Sequence, residues 1–194
     1  MKPFKDYETT KPYTDNGKLP VGGYVLKVKN VKIEKRQNMS DQLVLFFDIE
    51  EGEYQDFFSE NYKAQTQEDK KWKGTYRLWC PSDDGTDKDE WSKRRFKTVM
   101  NAFEASNPGF KWEWDEKKLN GKLIGGIFNQ KEYDFNGHSG FFTQCHSLTD
   151  VDTIRSGKFK VPADTLLKKE VSPADIDDGF MKIPDSDDAE FPWR

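Results

Sequence analysis

The chain has 194 residues, of which 34% are hydrophobic and 34% charged, and its formal net charge at pH 7 is −4. This length allows one domain with an appendage, or at most two small domains, and is sufficient to bury a core without disulfides. No run approaches 18 apolar residues and no signal-peptide pattern opens the sequence, so we expect a cytoplasmic protein without a membrane span. Cys80 and Cys145 fit a reducing compartment, although they could also pair.

Charge is unevenly distributed along the chain. Residues 171–194 hold seven acidic and two basic side chains, a net charge of −5, whereas residues 1–170 hold 29 basic and 28 acidic ones. The body is therefore nearly neutral, and any site for a polyanion must be a local patch.

The N-terminal part predicts an arm followed by a bent strand. Residues 1–18 are polar and lack apolar periodicity, which predicts an arm that lies on the surface or is disordered. In the strand that follows, the apolar residues change from even to odd positions between Val28 and Val31. Because strand side chains alternate with a period of two, this change of phase predicts a β-bulge near Lys29 and Asn30.

Two further strands are predicted before residue 63. Leu43–Ile49 is apolar on both faces, which favours a strand with one face on the core and the other on a helix or a ligand. Tyr54–Tyr62 is aromatic-rich and predicts a third strand. Such a meander begins a small Greek-key barrel, although a half-open sheet would give the same pattern. Residues 63–86 indicate either an extended excursion or a short strand between loops.

The clearest helix begins near Asp87, a capping residue that Glu90 follows three positions later. Apolar residues then recur at helical spacing until the stop sequence Ser106-Asn107-Pro108-Gly109. We expect this helix to cover one end of the barrel.

Two strands complete the predicted domain. Leu123–Tyr133 and Gly140–Leu148 are joined by a turn containing Asn136-Gly137, the favoured pair of a type I′ hairpin. The adjacent glycines Gly125 and Gly126 predict a bend or a close backbone approach.

The last part of the chain predicts a helical turn and a tail. Thr149–Gly157 fits one capped turn with Val151 and Ile154 facing inward. Residues 161–194 mix prolines, acids and serines, which predicts a disordered acidic C-terminal tail.

The order of elements predicts a mainly β protein with the oligonucleotide/oligosaccharide-binding (OB) fold. This fold is a five-stranded Greek-key barrel, and here one helix lies between strands 3 and 4. It binds ligands on its second and third strands and on the loops that follow its first and fourth strands. We therefore assign residues 19–160 to an OB domain.

Single-stranded DNA is bound by cations that replace phosphate counterions and by rings that stack on bases, each stack contributing about 1–3 kcal/mol. Cations form a strip along the first strand and its loop, aromatic rings lie on the strands, and the two residue types alternate in residues 70–79. The candidate DNA-binding residues are Lys27, Lys29, Lys35, Arg36, Phe46, Tyr62, Lys70, Lys71, Trp72, Lys73, Tyr76, Arg77, Trp79 and Phe135. The alternatives are a solvated strand face for the lysines and core packing for the strand aromatics. Trp112 and Trp114 are predicted to be structural.

Enzymatic motifs are missing from the sequence. It contains no P-loop, no G-x-G-x-x-G and no G-x-S-x-G. The adjacent side chains of Cys145 and His146 point to opposite faces of a strand, which is poor geometry for one metal ion. We therefore predict a non-enzymatic protein without a metal or another cofactor.

The C-terminal tip, residues 185–194, places bulky apolar groups after an acidic run. Such a peptide can insert its rings into a partner's pocket while its acids steer the approach. The candidate partner-binding residues are Asp187, Asp188, Glu190, Phe191, Pro192 and Trp193. A purely solubilising tail would not need Phe191 and Trp193.

Four segments resemble one protein family. They are LPVGGYVLKV (19–28), FDIEEGEY (47–54), FKTVMNAFEASNPGFKWEWDEKKLNGKLIGGIF (96–128) and VDTIRSGKFKVP (151–162). With the acidic, aromatic end, they resemble the single-stranded DNA-binding proteins of phages and prophages of Gram-positive bacteria. The tip is also similar to that of bacterial single-strand binding proteins, which closes in Ile-Pro-Phe, but here it closes in Arg194.

This resemblance implies an OB fold and single-stranded DNA binding during phage replication or recombination. It also implies that the tip recruits replication or repair proteins. The near-neutral body favours modest affinity, or a homo-oligomer that pools several patches. The alternative function is a phage protein whose OB surface binds a host protein, for example to inhibit a defence system, and a nuclease is a more distant one.

Overall fold

The computed structural model describes residues 17–37 and 39–167, together with Lys5. Five strands form one antiparallel sheet in the order β3-β2-β1-β4-β5, and a helix lies between β3 and β4. The elements are β1 (Gly22–Glu34), β2 (Gln42–Ile49), α1 (Phe57–Ala64), β3 (Thr75–Trp79), α2 (Asp87–Ser106), a 3₁₀ turn (Glu116–Leu119), β4 (Leu123–Phe135), β5 (His138–Thr149) and α3 (Val151–Arg155). In this part of the chain, no helix is long and apolar enough to cross a membrane.

The sheet is open, with β1 at its centre and β3 and β5 at its edges. Within the described residues, β3 pairs with β2 and β5 pairs with β4, and the two edges do not pair with each other. The mainly β architecture and the position of the helix are confirmed and are consistent with an OB-like fold. The predicted Greek-key barrel is not confirmed, because β3 and β5, the strands that would close it, do not pair with each other in the described residues.

The predicted bulge in β1 is confirmed, since its register with β2 shifts between Val28 and Asn30. Val28 lies opposite Phe47 and is buried in the core. Beyond the bulge, Val31 lies opposite Leu45 and is also buried. The bulge therefore turns the even-numbered residues of the second half of β1 to the outer face of the sheet.

The prediction of a third strand over Tyr54–Tyr62 is wrong, because this segment contains the helix α1. The residue before the helix, Asp56, has φ 59° and makes no side-chain cap hydrogen bond. The cap comes instead from the fully buried Asp48 at the end of β2. Its carboxylate accepts hydrogen bonds from the backbone N–H groups of Phe58 (2.9 Å) and Ser59 (3.0 Å). The third strand is instead Thr75–Trp79. It lies in residues 63–86, for which the sequence predicted either an extended excursion or a short strand between loops.

Helix α2 extends over the predicted residues, although its cap lies one position earlier. The Thr86 side chain, not that of Asp87, accepts the capping hydrogen bond, from the backbone N–H of Asp89. The apolar stripe of the helix packs in the core, as its spacing predicts. The buried stripe residues are Phe96, Val99, Met100 and Phe103.

The hairpin between β4 and β5 has the predicted type I′ character, since Asn136 (φ 51°) and Gly137 (φ 75°) both have positive φ. After β5, Asp150 caps the short helix α3, whose Val151 and Ile154 pack on Val25 of β1.

The close backbone approach predicted at Gly125 is also present. A Cβ atom at this position would lie 2.7 Å from the Asp150 carbonyl oxygen and 2.6 Å from Ile154 Cγ1. We expect Gly125→Ala to destabilise the fold by about 1–3 kcal/mol, because α3 would have to move away from β4. Urea denaturation measures this loss, and Ser139→Ala on the exposed part of β5 is the control. Equal stability of the two variants would contradict the predicted clash.

Residues 163–167 dock on the domain through an isolated β-bridge. Thr165 forms this parallel bridge with Lys131 of β4, beyond Phe128, which pairs with the first residue of β1. The fully buried side chain of Asn129 donates a hydrogen bond to the Ala163 carbonyl oxygen (2.8 Å). The contacts of the domain thus extend past residue 160. The predicted tail from residue 168 onward, with its tip, and nearly all of the predicted arm up to residue 16 lie outside the described residues.

Candidate nucleic-acid interface

The outer face of β1, β2 and β3 carries a small array of cations and rings. Residues that lie opposite each other in an antiparallel pair project from the same face of the sheet. The register places three rows on this face, which are Asn30-Phe46-Thr75, Lys32-Val44-Arg77 and Glu34-Gln42-Trp79. Of the sequence-predicted residues, the sheet therefore brings together Phe46, Arg77 and Trp79.

Cation–ring contacts and one carboxylate set the electrostatics of this outer face. The Lys32 ammonium lies 5.5 Å from the centre of the Phe46 ring, and the Arg36 guanidinium lies 5.8 Å from that of Trp79. Glu34 forms ion pairs with Lys32 (2.6 Å) and Arg77 (3.7 Å), and the hydrogen bond from Lys32 lowers the pKa of this carboxyl. The outer face therefore offers rings, but Glu34 offsets part of its positive charge.

A groove of about 850 Å³ lies between the two unpaired edges, β3 and β5. Its walls include Thr75–Arg77 of β3 and Phe142–His146 of β5. Among the described residues that line it, five are lysine or arginine and none is aspartate or glutamate. The five cations are Lys18, Lys73, Arg77, Arg95 and Lys131. A concave surface with one sign of charge concentrates oppositely charged ligands, so this groove is suited to an anion.

Tyr76 has a different role from the predicted one. It is only 5% exposed and belongs to the core, so its ring is not free to stack on a base. Burial raises the pKa of Tyr76, and its neutral hydroxyl accepts a hydrogen bond from Arg95 (2.8 Å). The Arg95 guanidinium also lies 5.2 Å from the centre of the Trp91 ring. Tyr76 and Trp91 thus hold Arg95 at the wall of the groove.

Part of the cluster predicted from residues 70–79 lines the groove, namely Trp72, Lys73, Tyr76 and Arg77, but its rings differ in exposure. Trp72 is partly buried against the core, and its indole N–H donates to the carbonyl oxygens of Phe47 (3.1 Å) and Gly74 (3.0 Å). Tyr62 is more exposed, with its ring centre 5.8 Å from that of Trp72 and the Lys70 ammonium 5.9 Å from its own ring. Trp72 is therefore both a structural residue and part of the wall.

The groove continues onto the β4–β5 hairpin as a row of exposed rings. Phe142 lines the groove, and its ring centre lies 6.2 Å from that of Tyr133. The alternation of β4 places Lys131, Tyr133 and Phe135 on the same face, with Phe142 opposite Lys131. Phe135, which the sequence predicted, is 71% exposed. This face, called the hairpin face below, therefore offers further rings for stacking.

Several predicted residues lie away from the groove. The ammonium of Lys27 is 2.7 Å from Glu50, and Lys29 and Lys35 are exposed on β1 and its loop. For these lysines the alternative of a solvated strand face fits as well as DNA binding. Lys71 is exposed and pairs with Asp69 (3.4 Å).

The two tryptophans predicted to be structural differ in their environments. Trp112 packs against the core. Trp114 is 78% exposed, and its ring stacks on that of Phe96 with the centres 6.1 Å apart. Neither tryptophan lines the groove.

Sequence reasoning missed five residues of this region, namely Lys18, Trp91, Arg95, Lys131 and Phe142. Trp91 and Arg95 lie on a helix whose pattern only revealed its buried face, and Lys131 lies among the polar residues of a strand. For Phe142 the sequence did contain a usable signal, namely two adjacent phenylalanines in a predicted strand. Adjacent residues of a strand face opposite sides, so Phe141 and Phe142 cannot both point into the core.

Comparison with known proteins gives no relative for this site. No protein-family model matches the chain, and no curated protein matches it. Within residues 17–37 and 39–167, no group of three or more His, Cys, Asp or Glu is arranged to hold a metal ion.

Proposed function

We propose that this protein binds single-stranded DNA with little sequence preference and without catalysing a reaction. The observation that carries this proposal is the groove between β3 and β5, which has five cationic residues and no carboxylate among the described residues of its lining. Phosphates need such cations, and no acidic side chain of the described lining offsets their charge. We infer that the fold is an OB variant whose third and fifth strands do not pair with each other and leave this groove between them.

A single strand has a continuous path over these surfaces. Arg77 belongs both to the outer face of β1–β3 and to the groove, and Phe142 belongs both to the groove and to the hairpin face. A strand that follows this path meets Trp79 at one end and Phe135 at the other. The cations of the groove would hold its phosphates, while the rings on either side stack on its bases. A duplex cannot use the rings in this way, because its bases already stack on one another.

The sequence resemblance supports the same function and extends it. It implies a role in phage DNA replication or recombination, in the cytoplasm of the host cell. The tip that would recruit replication or recombination proteins, residues 185–194, lies outside the described residues, so its role stays a prediction from the sequence.

The test is a titration of the intrinsic tryptophan fluorescence with an oligo-dT strand at low and high salt. We expect quenching by the single strand, with an affinity that falls by about 0.7 log units per log unit of salt for each phosphate contacted. A duplex of equal length is the control and should bind much more weakly. Absence of binding at low salt would reject the proposal and favour the alternative that this surface binds a host protein.

A further inference from the structure

A second cavity, of about 470 Å³, lies where the end of β3, the loop after β1 and the start of α2 meet. Two indoles line it, Trp79 from β3 and Trp91 from α2. Each indole has an arginine on its ring, since Arg36 lies 5.8 Å from Trp79 and Arg95 lies 5.2 Å from Trp91. Trp91 is 53% exposed, so its ring is accessible from the cavity. We call this cavity the tryptophan slot.

The tryptophan slot is joined to the proposed DNA path at two points. Trp79 lies on the outer face of the sheet, and Arg95, which lies over Trp91, lines the groove. A nucleotide whose base entered the slot would have guanidinium groups beside both indoles for its phosphates. The slot therefore combines flat apolar walls with flanking positive charge, as a nucleotide requires.

The polar groups of the slot mostly accept hydrogen bonds. The Ser82 and Thr86 hydroxyls both donate to the Asp84 carboxylate, at 2.9 and 2.7 Å. The Ser92 hydroxyl donates to the Asp89 carbonyl oxygen at 2.8 Å. Each of these three hydroxyls thus already donates its hydrogen bond within the protein and can only accept hydrogen bonds from a ligand.

The exposed carboxylate of Asp84 adds more acceptors, whereas the side chain of Asp89 is fully buried and forms an ion pair with Lys93 (2.9 Å). Hydrogen bonds from Thr86 lower the pKa of Asp84, and the hydrogen bond from Lys93 is the main reason that the pKa of Asp89 is lowered to about 2. Both groups are therefore ionised at neutral pH and cannot donate. Ser40 and the exposed Lys88 also line the slot, and they provide a hydroxyl and a cation at its rim.

We propose that the tryptophan slot binds one base of the DNA strand between or beside its indoles and prefers guanine to thymine; this rests on the proposed function. Guanine presents adjacent N–H donors, at N1 and at the 2-amino group, along its Watson–Crick edge. Thymine presents one donor between two carbonyl oxygens, which lone pairs and carboxylates repel. An acceptor-rich slot therefore adds discrimination by hydrogen bonding to the stronger stacking of a purine, and inosine, which is also a purine, separates the two contributions.

The experiment compares an oligo-dT strand with the same strand carrying one central guanine. We expect the guanine strand to bind roughly five- to tenfold more tightly, and a strand with inosine, which lacks the 2-amino group, to fall between them. Trp91→Ala should remove the preference, since it deletes one wall of the slot. Trp114→Ala is the matched control, because it removes an exposed tryptophan that lines neither cavity, and it should retain the preference.

The outcomes separate the two proposals. Equal binding of the guanine and thymine strands by the unmodified protein would overturn the proposal that the tryptophan slot prefers guanine, but not the proposal of single-stranded DNA binding. A guanine preference that persists in Trp91→Ala would also overturn the proposal for the slot. Binding of neither strand would overturn both proposals.

Discussion

Replacing Arg77 and Lys131 together by glutamine should weaken the binding of single-stranded DNA at least about tenfold. The two side chains approach the groove from opposite sides, Arg77 from β3 and Lys131 from β4, so their loss removes positive charge from both walls. The salt dependence should also become shallower, by about 1.4 in the log–log slope if each side chain contacts one phosphate. Fluorescence titrations at several salt concentrations measure both effects.

The control for this double variant is Lys97→Gln combined with Lys117→Gln. These two lysines are exposed and line neither cavity, so the control makes the same change in net charge elsewhere on the surface. Nearly unchanged affinity and slope are expected for it. If both double variants weakened binding equally, the effect would come from overall charge, and the groove would not be the place where phosphates bind.

The elements that the sequence predicted well have local causes. The bulge of β1 follows from a change of phase between neighbouring residues, and the type I′ turn follows from Asn136-Gly137 alone. Helix α2 follows from its spacing and a cap within one residue of Asp87. Helix α1 could not be predicted in the same way, because its cap is Asp48, a residue of the preceding strand that only the fold brings to the helix.

The candidate site was predictable only in part for the same reason. The alternation of cations and rings in residues 70–79 located part of one wall of the groove, but it did not reveal that Lys70, Lys71 and Trp79 lie outside the groove or that Tyr76 is buried. The opposite wall comes from β4 and β5, and Arg95 comes from α2, so the groove exists only after these elements have packed. Whether β3 and β5 close a barrel also depends on the complete sheet, and the strand pattern was compatible with either outcome.

Asp48→Ala should destabilise the domain by about 3 kcal/mol or more, the largest effect that we expect from one substitution. The buried carboxylate accepts hydrogen bonds from the backbone N–H groups of Ile49, Phe58 and Ser59 and from the Ser59 hydroxyl. Alanine would leave these donors without their acceptor at the point where α1 begins. Each hydrogen bond to a charged group contributes about 1.5–3 kcal/mol, although the contributions are not additive.

Urea denaturation followed by circular dichroism measures this loss, and Asp56→Asn is the matched control. Asp56 precedes the same helix but makes no side-chain cap hydrogen bond, and asparagine tolerates its left-handed backbone. We expect the control to change the free energy of unfolding by no more than about 0.5 kcal/mol. A loss of stability in Asp48→Ala as small as that of the control would show that α1 does not depend on this carboxylate.

Because α1 also supplies Asn61 to the lining of the groove, Asp48→Ala should weaken DNA binding even where the protein remains folded.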